Sequence, residues 1–90
     1  MHTMETIRQL IHEGQVAEAI RQLDALIADG GAPDEAFYLR GNAYRKSGNW
    51  RQALNNYLSA MELNPESPAH EAYRMAMDIL EFYNKDMFNQ

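Results

Sequence analysis

The sequence predicts an all-α protein of five helices, in which two helical hairpins are followed by a closing helix. The first observation behind this prediction is an internal repeat: Gly14 and Ala19 recur as Gly48 and Ala53, each displaced by 34 residues. The second is the spacing of apolar residues at three and four positions along most of the chain, which is the period of an amphipathic helix. Because a helical hairpin cannot bury both faces alone, a repeat of this length indicates hairpins stacked on a shared core.

The first hairpin occupies the residues before the segment Gly30 to Pro33. Gly14 stands in its turn, at the place that Gly48 takes in the next unit. Glycine suits such a turn because it readily adopts the left-handed conformation that ends a helix. The segment Gly30-Gly31-Ala32-Pro33 ends the second helix, since glycine and proline both interrupt helices. The predicted helices span 3–13 and 16–29.

The second hairpin and the closing helix are bounded by caps and prolines. Asp34 can cap the third helix and Asn49 the fourth. Asn64-Pro65 stops the fourth helix, because the residue before a proline is forced out of the helical conformation. Ser67 can then cap the closing helix, with proline at its first position. The predicted helices span 34–47, 50–63 and 68–83, with a looser tail over 84–90.

The segment from Asp34 to Ser67 resembles a tetratricopeptide repeat along its whole length. Nine positions match the family's order, namely Phe37, Gly41, Tyr44, Gly48, Trp50, Ala53, Tyr57, Ala60 and Pro65. The resemblance implies an α-solenoid, a right-handed superhelical stack of hairpins. It also implies one domain over residues 1–90, with a degenerate repeat at 1–33, a well-matched repeat at 34–67, and a capping helix and tail at 68–90.

The matched residues have packing roles in this interpretation. Gly41 lets the two helices of the hairpin approach closely, because a Cβ there would push them apart. The four aromatic residues of the unit are predicted to fill the core between helices, and none is expected to form an aromatic cage. They are Phe37, Tyr44, Trp50 and Tyr57.

The residues that carry chemistry do not form a recognisable site. The chain has no cysteine, and His2, His12 and His70 lack the spacing of metal ligands. No apolar stretch approaches the roughly 20 residues that a membrane-spanning helix needs. We therefore predict a cytoplasmic protein that is not an enzyme, needs no cofactor or metal, and does not bind membranes.

The charges are unevenly distributed along the chain, whose net charge is −5. Residues 1–35 carry two arginines and seven acids, whereas residues 36–61 carry Arg40, Arg45, Lys46 and Arg51 and no acid. Overall acidity argues against binding to phosphate backbones. We therefore predict no nucleic-acid partner; RNA binding, supported only by the basic segment, ranks below the interaction and self-association alternatives and above catalysis.

The resemblance also implies a binding surface, since the first helix of each repeat in this family lines a concave groove that accepts a peptide or a helix of a partner protein. Carried over to this sequence, the groove residues would be Arg8, His12, Tyr38, Asn42, Arg45, Lys46 and Tyr73. Arg45 could grip a carboxylate through two hydrogen bonds, which favours an acidic or C-terminal peptide. The alternative is that Arg45 and Lys46 only neutralise the acidic flanks of the protein itself.

The closing helix offers a second candidate surface, because its apolar residues cover more than one stripe. Such width is typical of a helix buried on two sides. Either the tail with Met87 and Phe88 folds back over it, or another chain covers it. The second case predicts a structural, self-associating homodimer that uses Tyr73, Met77, Leu80 and Tyr83.

Overall fold

The computed structural model describes the backbone of residues 4–88 and the side chains of residues 4–82. The described chain forms five helices joined by short turns and contains no strand, so the predicted all-α class is confirmed. The helices are α1 (Met4–His12), α2 (Val16–Ala28), α3 (Asp34–Lys46), α4 (Trp50–Leu63) and α5 (Ala69–Phe88).

Each helix packs against its neighbours along the chain, as in stacked hairpins. The α1–α2 and α3–α4 pairs are the hairpins; α3 also packs on α1 and α2, and α5 packs on α4. The two first helices, α1 and α3, therefore lie side by side. This arrangement places the first helix of each hairpin on a shared face.

The core consists of two clusters of buried side chains. The first core cluster joins α1, α2 and α3 through Ile7, Ile11, Ala19, Leu23, Ala36, Leu39 and Ala43. The second core cluster joins α4 and α5 through Ala53, Tyr57, Ala60 and Ala69, with Phe37, Tyr44 and Tyr73 packed against it. Of the aromatic residues predicted to be core, only Tyr57 is fully buried.

The turn between α3 and α4 has the predicted glycine conformation and the predicted N-cap residue. Gly48 has a φ of +86°, the left-handed conformation that glycine adopts without strain. Its N–H donates to the Arg45 carbonyl at 3.0 Å, and Asn49 N–H donates to the Tyr44 carbonyl at 2.9 Å. The Asn49 side chain then accepts a hydrogen bond from Gln52 N–H at 3.3 Å, so its predicted role as N-cap of α4 is confirmed.

Two predictions about the helix ends were wrong. Asp34 is the first residue of α3 and not its cap, which is Pro33. The tail predicted from residue 84 is helical to Phe88, because no glycine or proline follows Pro68 and Asn84 alone costs a helix only a fraction of a kcal/mol. Residues 84–88 therefore continue α5 and do not fold back over it.

Candidate peptide-binding groove

Three connected clefts run along the face formed by α1, α3 and α5. The basic cleft, of about 480 Å³, is lined by Arg8, Ile11, His12, Leu39, Asn42, Arg45, Lys46 and Trp50. The acidic cleft, of about 370 Å³, is lined by Arg8, Asp34, Glu35, Tyr38 and Pro68. The α3–α5 cleft, of about 240 Å³, is lined by Tyr38, Asn42, Arg45, Pro68, Glu71, Ala72 and Met75. We refer to the three clefts together as the groove.

Arg45 and Lys46 form the cationic rim of the basic cleft. Both lie in the last turn of α3 and are exposed. Neither forms an ion pair with any residue of the described part of the chain. Lys46 Nζ donates instead to the backbone carbonyl of His12 at 3.2 Å, which ties the end of α3 to the end of α1. The two positive charges thus stand at the cleft without an ion pair among the described residues, and Glu71, which lines the α3–α5 cleft with Arg45, pairs with Arg74 instead.

Two other arginines have acidic partners. Arg8 pairs with Glu5 in its own helix and with Glu35 of α3. Arg40 donates to Asp24 Oδ1 of α2 at 2.7 Å and through Nε to Asn56 Oδ1 of α4, also at 2.7 Å. Arg8 and Arg40 therefore neutralise acidic residues of the protein, and their ion pairs also join neighbouring helices.

Asn42 connects the groove to the core. Its Oδ1 accepts a hydrogen bond of 2.6 Å from the hydroxyl of Tyr57. Burial raises the pKa of the Tyr57 phenol, and the nearby Arg45 guanidinium offsets part of that rise. The phenol is therefore protonated at neutral pH and serves as the donor. The amide N–H₂ of Asn42 remains available to a ligand, whereas its oxygen already accepts one hydrogen bond from Tyr57.

Comparison with known proteins gives two findings. A family model described as "Tetratricopeptide repeat" matches residues 34–67. The solution NMR structure of Bacteroides fragilis protein BF1650 is similar over 100% of this chain and 92% of that chain, with a TM-score of 0.87 and 54% sequence identity. The chain belongs to the tetratricopeptide-repeat family. No curated protein matches it.

Membership of the family supports a general role as a protein-interaction scaffold, and tetratricopeptide-repeat domains are typically non-catalytic. Within the described residues, no group of three or more histidines, cysteines and acids is arranged to hold a metal ion. No helix among those residues has the length and apolar character needed to cross a bilayer.

Six of the seven predicted groove residues of this tetratricopeptide-repeat protein line the groove, namely Arg8, His12, Tyr38, Asn42, Arg45 and Lys46. Tyr73 does not line it, because it packs against the second core cluster. Successive helical residues are rotated by about 100°, so Tyr73 and Met75 point to different sides of α5. Glu71, Ala72 and Met75 contribute the α5 side of the groove, and the 34-residue offset from Tyr38 would have identified Ala72.

Trp50 is the groove residue that the sequence analysis missed. It was predicted to be core, but it is only partly buried, lines the basic cleft and belongs to neither core cluster among the described residues. Its position immediately after the turn that follows Arg45 and Lys46 is the sequence signal that could have revealed it. The prediction of a core role for Trp50 was wrong.

The second candidate surface, on α5, differs from the predicted one. Tyr73 faces α4, Leu80 is partly buried, and Met77 is 40% exposed. The side chain of Tyr83 lies outside the described residues. The exposed side chains in the described part of α5 are of both kinds: polar at His70, Glu71, Arg74, Asp78 and Glu81, and apolar at Met75, Met77 and Phe82.

Proposed function

We propose that this tetratricopeptide-repeat protein binds an acidic peptide segment of a partner protein in the groove, with Arg45 and Lys46 contacting the carboxylates. The observation that carries the proposal is the pair of exposed cations at the basic cleft, with no acidic partner among the described residues. In a protein of net charge −5, such cations favour an anionic ligand over a neutral one.

The ion pairs of the other arginines support a role of Arg45 and Lys46 in ligand binding, as opposed to neutralising the acidic residues of the protein itself. Arg8 and Arg40 already bridge helices to acids of the protein, so the flanking acids closest to α3 are engaged. Arg45 offers a planar fork that suits a carboxylate, and Lys46 offers a mobile point charge next to it. Two such groups in adjacent positions suit a segment with one or two acidic side chains.

The remaining groove residues would hold the segment and set its path. Asn42 presents its amide N–H₂ between the basic cleft and the α3–α5 cleft, where it can donate to a peptide carbonyl. Tyr38 stands where the acidic cleft meets the α3–α5 cleft. Arg8 keeps α1 against α3 through Glu35, and in this proposal it shapes the groove without binding the ligand directly.

Charge reversal at the rim tests the proposal. The double variant Arg45→Glu/Lys46→Glu is expected to weaken binding at least about 100-fold, because it removes two charge-assisted contacts of about 1.5–3 kcal/mol each. The probe is an acidic peptide selected on the wild-type protein from a random displayed library, and binding is measured by fluorescence anisotropy. Circular dichroism checks that helicity is unchanged.

The matched control is Arg21→Glu/Arg51→Glu, which changes the net charge equally at exposed positions of α2 and α4. It is expected to change affinity by less than about threefold at physiological salt, since neither arginine lines any of the three clefts and salt screens exposed charges. Equal losses in the two double variants would contradict a specific role for the rim. No loss in either would remove the groove from consideration.

Self-association through α5 is the second candidate function. It is favoured by the length of α5, which has 20 residues against 14 in α4, and by the exposure of Met77 at 40% and Phe82 at 75%. Light scattering after size exclusion is expected to give twice the chain mass of 10.4 kDa as concentration rises, and Met77→Glu/Phe82→Glu to restore 10.4 kDa. A constant 10.4 kDa for the wild type would exclude this candidate.

A further inference from the structure

We infer that the acidic residue of the partner is flanked by a bulky apolar residue that packs on Trp50, and that both belong to an internal segment of the partner chain. The inference rests on the proposed function and deepens it. It assigns a binding role to Trp50 and states the chemistry of the ligand in the basic cleft.

The partial exposure of Trp50 and its position in the basic cleft are typical of a residue that binds a ligand. It is the single tryptophan of the chain, it is only partly buried, and it belongs to neither core cluster within the described residues. It lines the cleft that Arg45 and Lys46 rim. Tryptophan combines a large apolar surface with few rotatable bonds, which is why it dominates binding energy at many protein interfaces. A partly exposed tryptophan beside two cations that form no ion pair within the described residues therefore points to an apolar group next to an anion.

The floor of the basic cleft is also apolar. Ile11 and Leu39 line it, although they are members of the first core cluster with only 9% and 2% exposure. An apolar floor beneath a cationic rim suits a ligand with an apolar side chain below and a carboxylate above. The volume of about 480 Å³ lies within the range of sites that enclose such groups and exceeds what a carboxylate alone would fill.

The connection between the clefts favours an internal segment over a chain terminus. The basic cleft shares Arg8 with the acidic cleft, and it shares Asn42 and Arg45 with the α3–α5 cleft. A bound segment that extends past the basic cleft on either side would therefore meet a neighbouring cleft. An internal segment has chain on both sides of its acidic residue and can contact all three clefts, whereas a C-terminal residue has chain on one side only.

A selection experiment tests the inference. Random nine-residue segments, displayed between constant flanks so that no free terminus is presented, are selected on the wild type, on Trp50→Ala and on Arg45→Glu/Lys46→Glu. The wild type is expected to enrich an acid adjacent to Phe, Leu, Ile or Met. Trp50→Ala is expected to keep the acid and lose the apolar neighbour, and the double variant to lose the acid.

Affinities of synthetic peptides then quantify the contact. The best selected peptide, acetylated and amidated, is expected to bind Trp50→Ala roughly 10- to 30-fold more weakly than the wild type, and Trp50→Phe only about 3-fold more weakly. Trp50 fluorescence is expected to change on binding to the wild type. Since Trp50→Phe keeps an aromatic ring, it provides the measurement if Trp50→Ala fails to fold by circular dichroism.

Each contrary outcome separates the inference from the proposed function. Enrichment of an acid without an apolar neighbour, or equal affinity of the wild type and the folded Trp50 variants, would overturn the inference and leave the proposed function standing. If a peptide with a free C-terminal carboxylate bound more tightly than its amidated form, the inference that the ligand is an internal segment of the partner chain would be overturned. Failure to enrich acids at all would overturn the proposed function and the inference together.

Discussion

Tyr57→Ala is expected to lower the free energy of unfolding by about 3–5 kcal/mol, the cost of removing a large buried aromatic side chain. Among the side chains of residues 4–82, Tyr57 is the largest that is fully buried, with 0% exposure, and it belongs to the second core cluster. Its ring also packs against Tyr38, with centroids 6.1 Å apart. A chain of 90 residues has a total stability of roughly 5–13 kcal/mol, so this loss removes a large share of it.

Urea denaturation followed by circular dichroism measures this effect, and two variants separate its causes. Tyr57→Phe keeps the ring and removes only the hydrogen bond to Asn42, at an expected cost of about 1 kcal/mol. Tyr44→Ala deletes the same type of side chain at a partly buried position, so its loss is expected to be smaller. Equal losses for Tyr44→Ala and Tyr57→Ala would contradict the central position of Tyr57.

Gly41→Ala is expected to destabilise the protein by about 1–3 kcal/mol, the usual cost of overpacking a core. A Cβ at this position would lie 2.6 Å from Cε1 and 2.7 Å from Cδ1 of Tyr57, and 3.2 Å from the carbonyl oxygen of Ala53. Gly41 lies in the middle of α3, where alanine would otherwise be favoured over glycine by about 1 kcal/mol. The sign of the measured change therefore shows which effect dominates.

A double-mutant cycle identifies the cause of that loss. In the Tyr57→Leu background the ring that the new Cβ would strike is absent, so Gly41→Ala is expected to cost less than about 1 kcal/mol or to stabilise. Chemical denaturation of the wild type, both single variants and the double variant gives the coupling energy. An unchanged cost of Gly41→Ala in both backgrounds would show that the clash with Tyr57 is not responsible.

The number and positions of the helices can be predicted from local features of the sequence. Apolar spacing, Gly48 with Asn49, and the prolines after α2 and α4 determine where the helices are and where they turn. The end of α5 was predicted too early because Asn84 and Asp86 are weak helix formers, whereas Lys85 and Met87 are good ones and no glycine or proline follows. Helix ends therefore depend on tertiary context more than helix centres do.

The groove was predicted less completely than the fold, since its lining depends on how each helix is rotated about its axis and packed on its neighbours. Family positions gave the α1 and α3 sides of the groove, but the α5 side requires the rotation of that helix, which turns Tyr73 toward the core. Aromatic type alone also could not separate Tyr57, which is buried, from Trp50, which lines a cleft. The ion pairs of Arg8 with Glu35 and of Arg40 with Asp24 join residues 27 and 16 positions apart, so only the packed helices reveal them.

The hydrogen bond from Tyr57 to Asn42 decides which groove positions an engineer can vary freely. Replacing Asn42 to alter specificity would strand a buried phenol, at a cost of about 1–3 kcal/mol. Arg45 and Lys46 are exposed and Trp50 belongs to neither core cluster of the described residues, so new recognition chemistry can be introduced there without removing a core side chain. Within the groove, Asn42 is therefore constrained by the core, whereas Arg45, Lys46 and Trp50 can be varied.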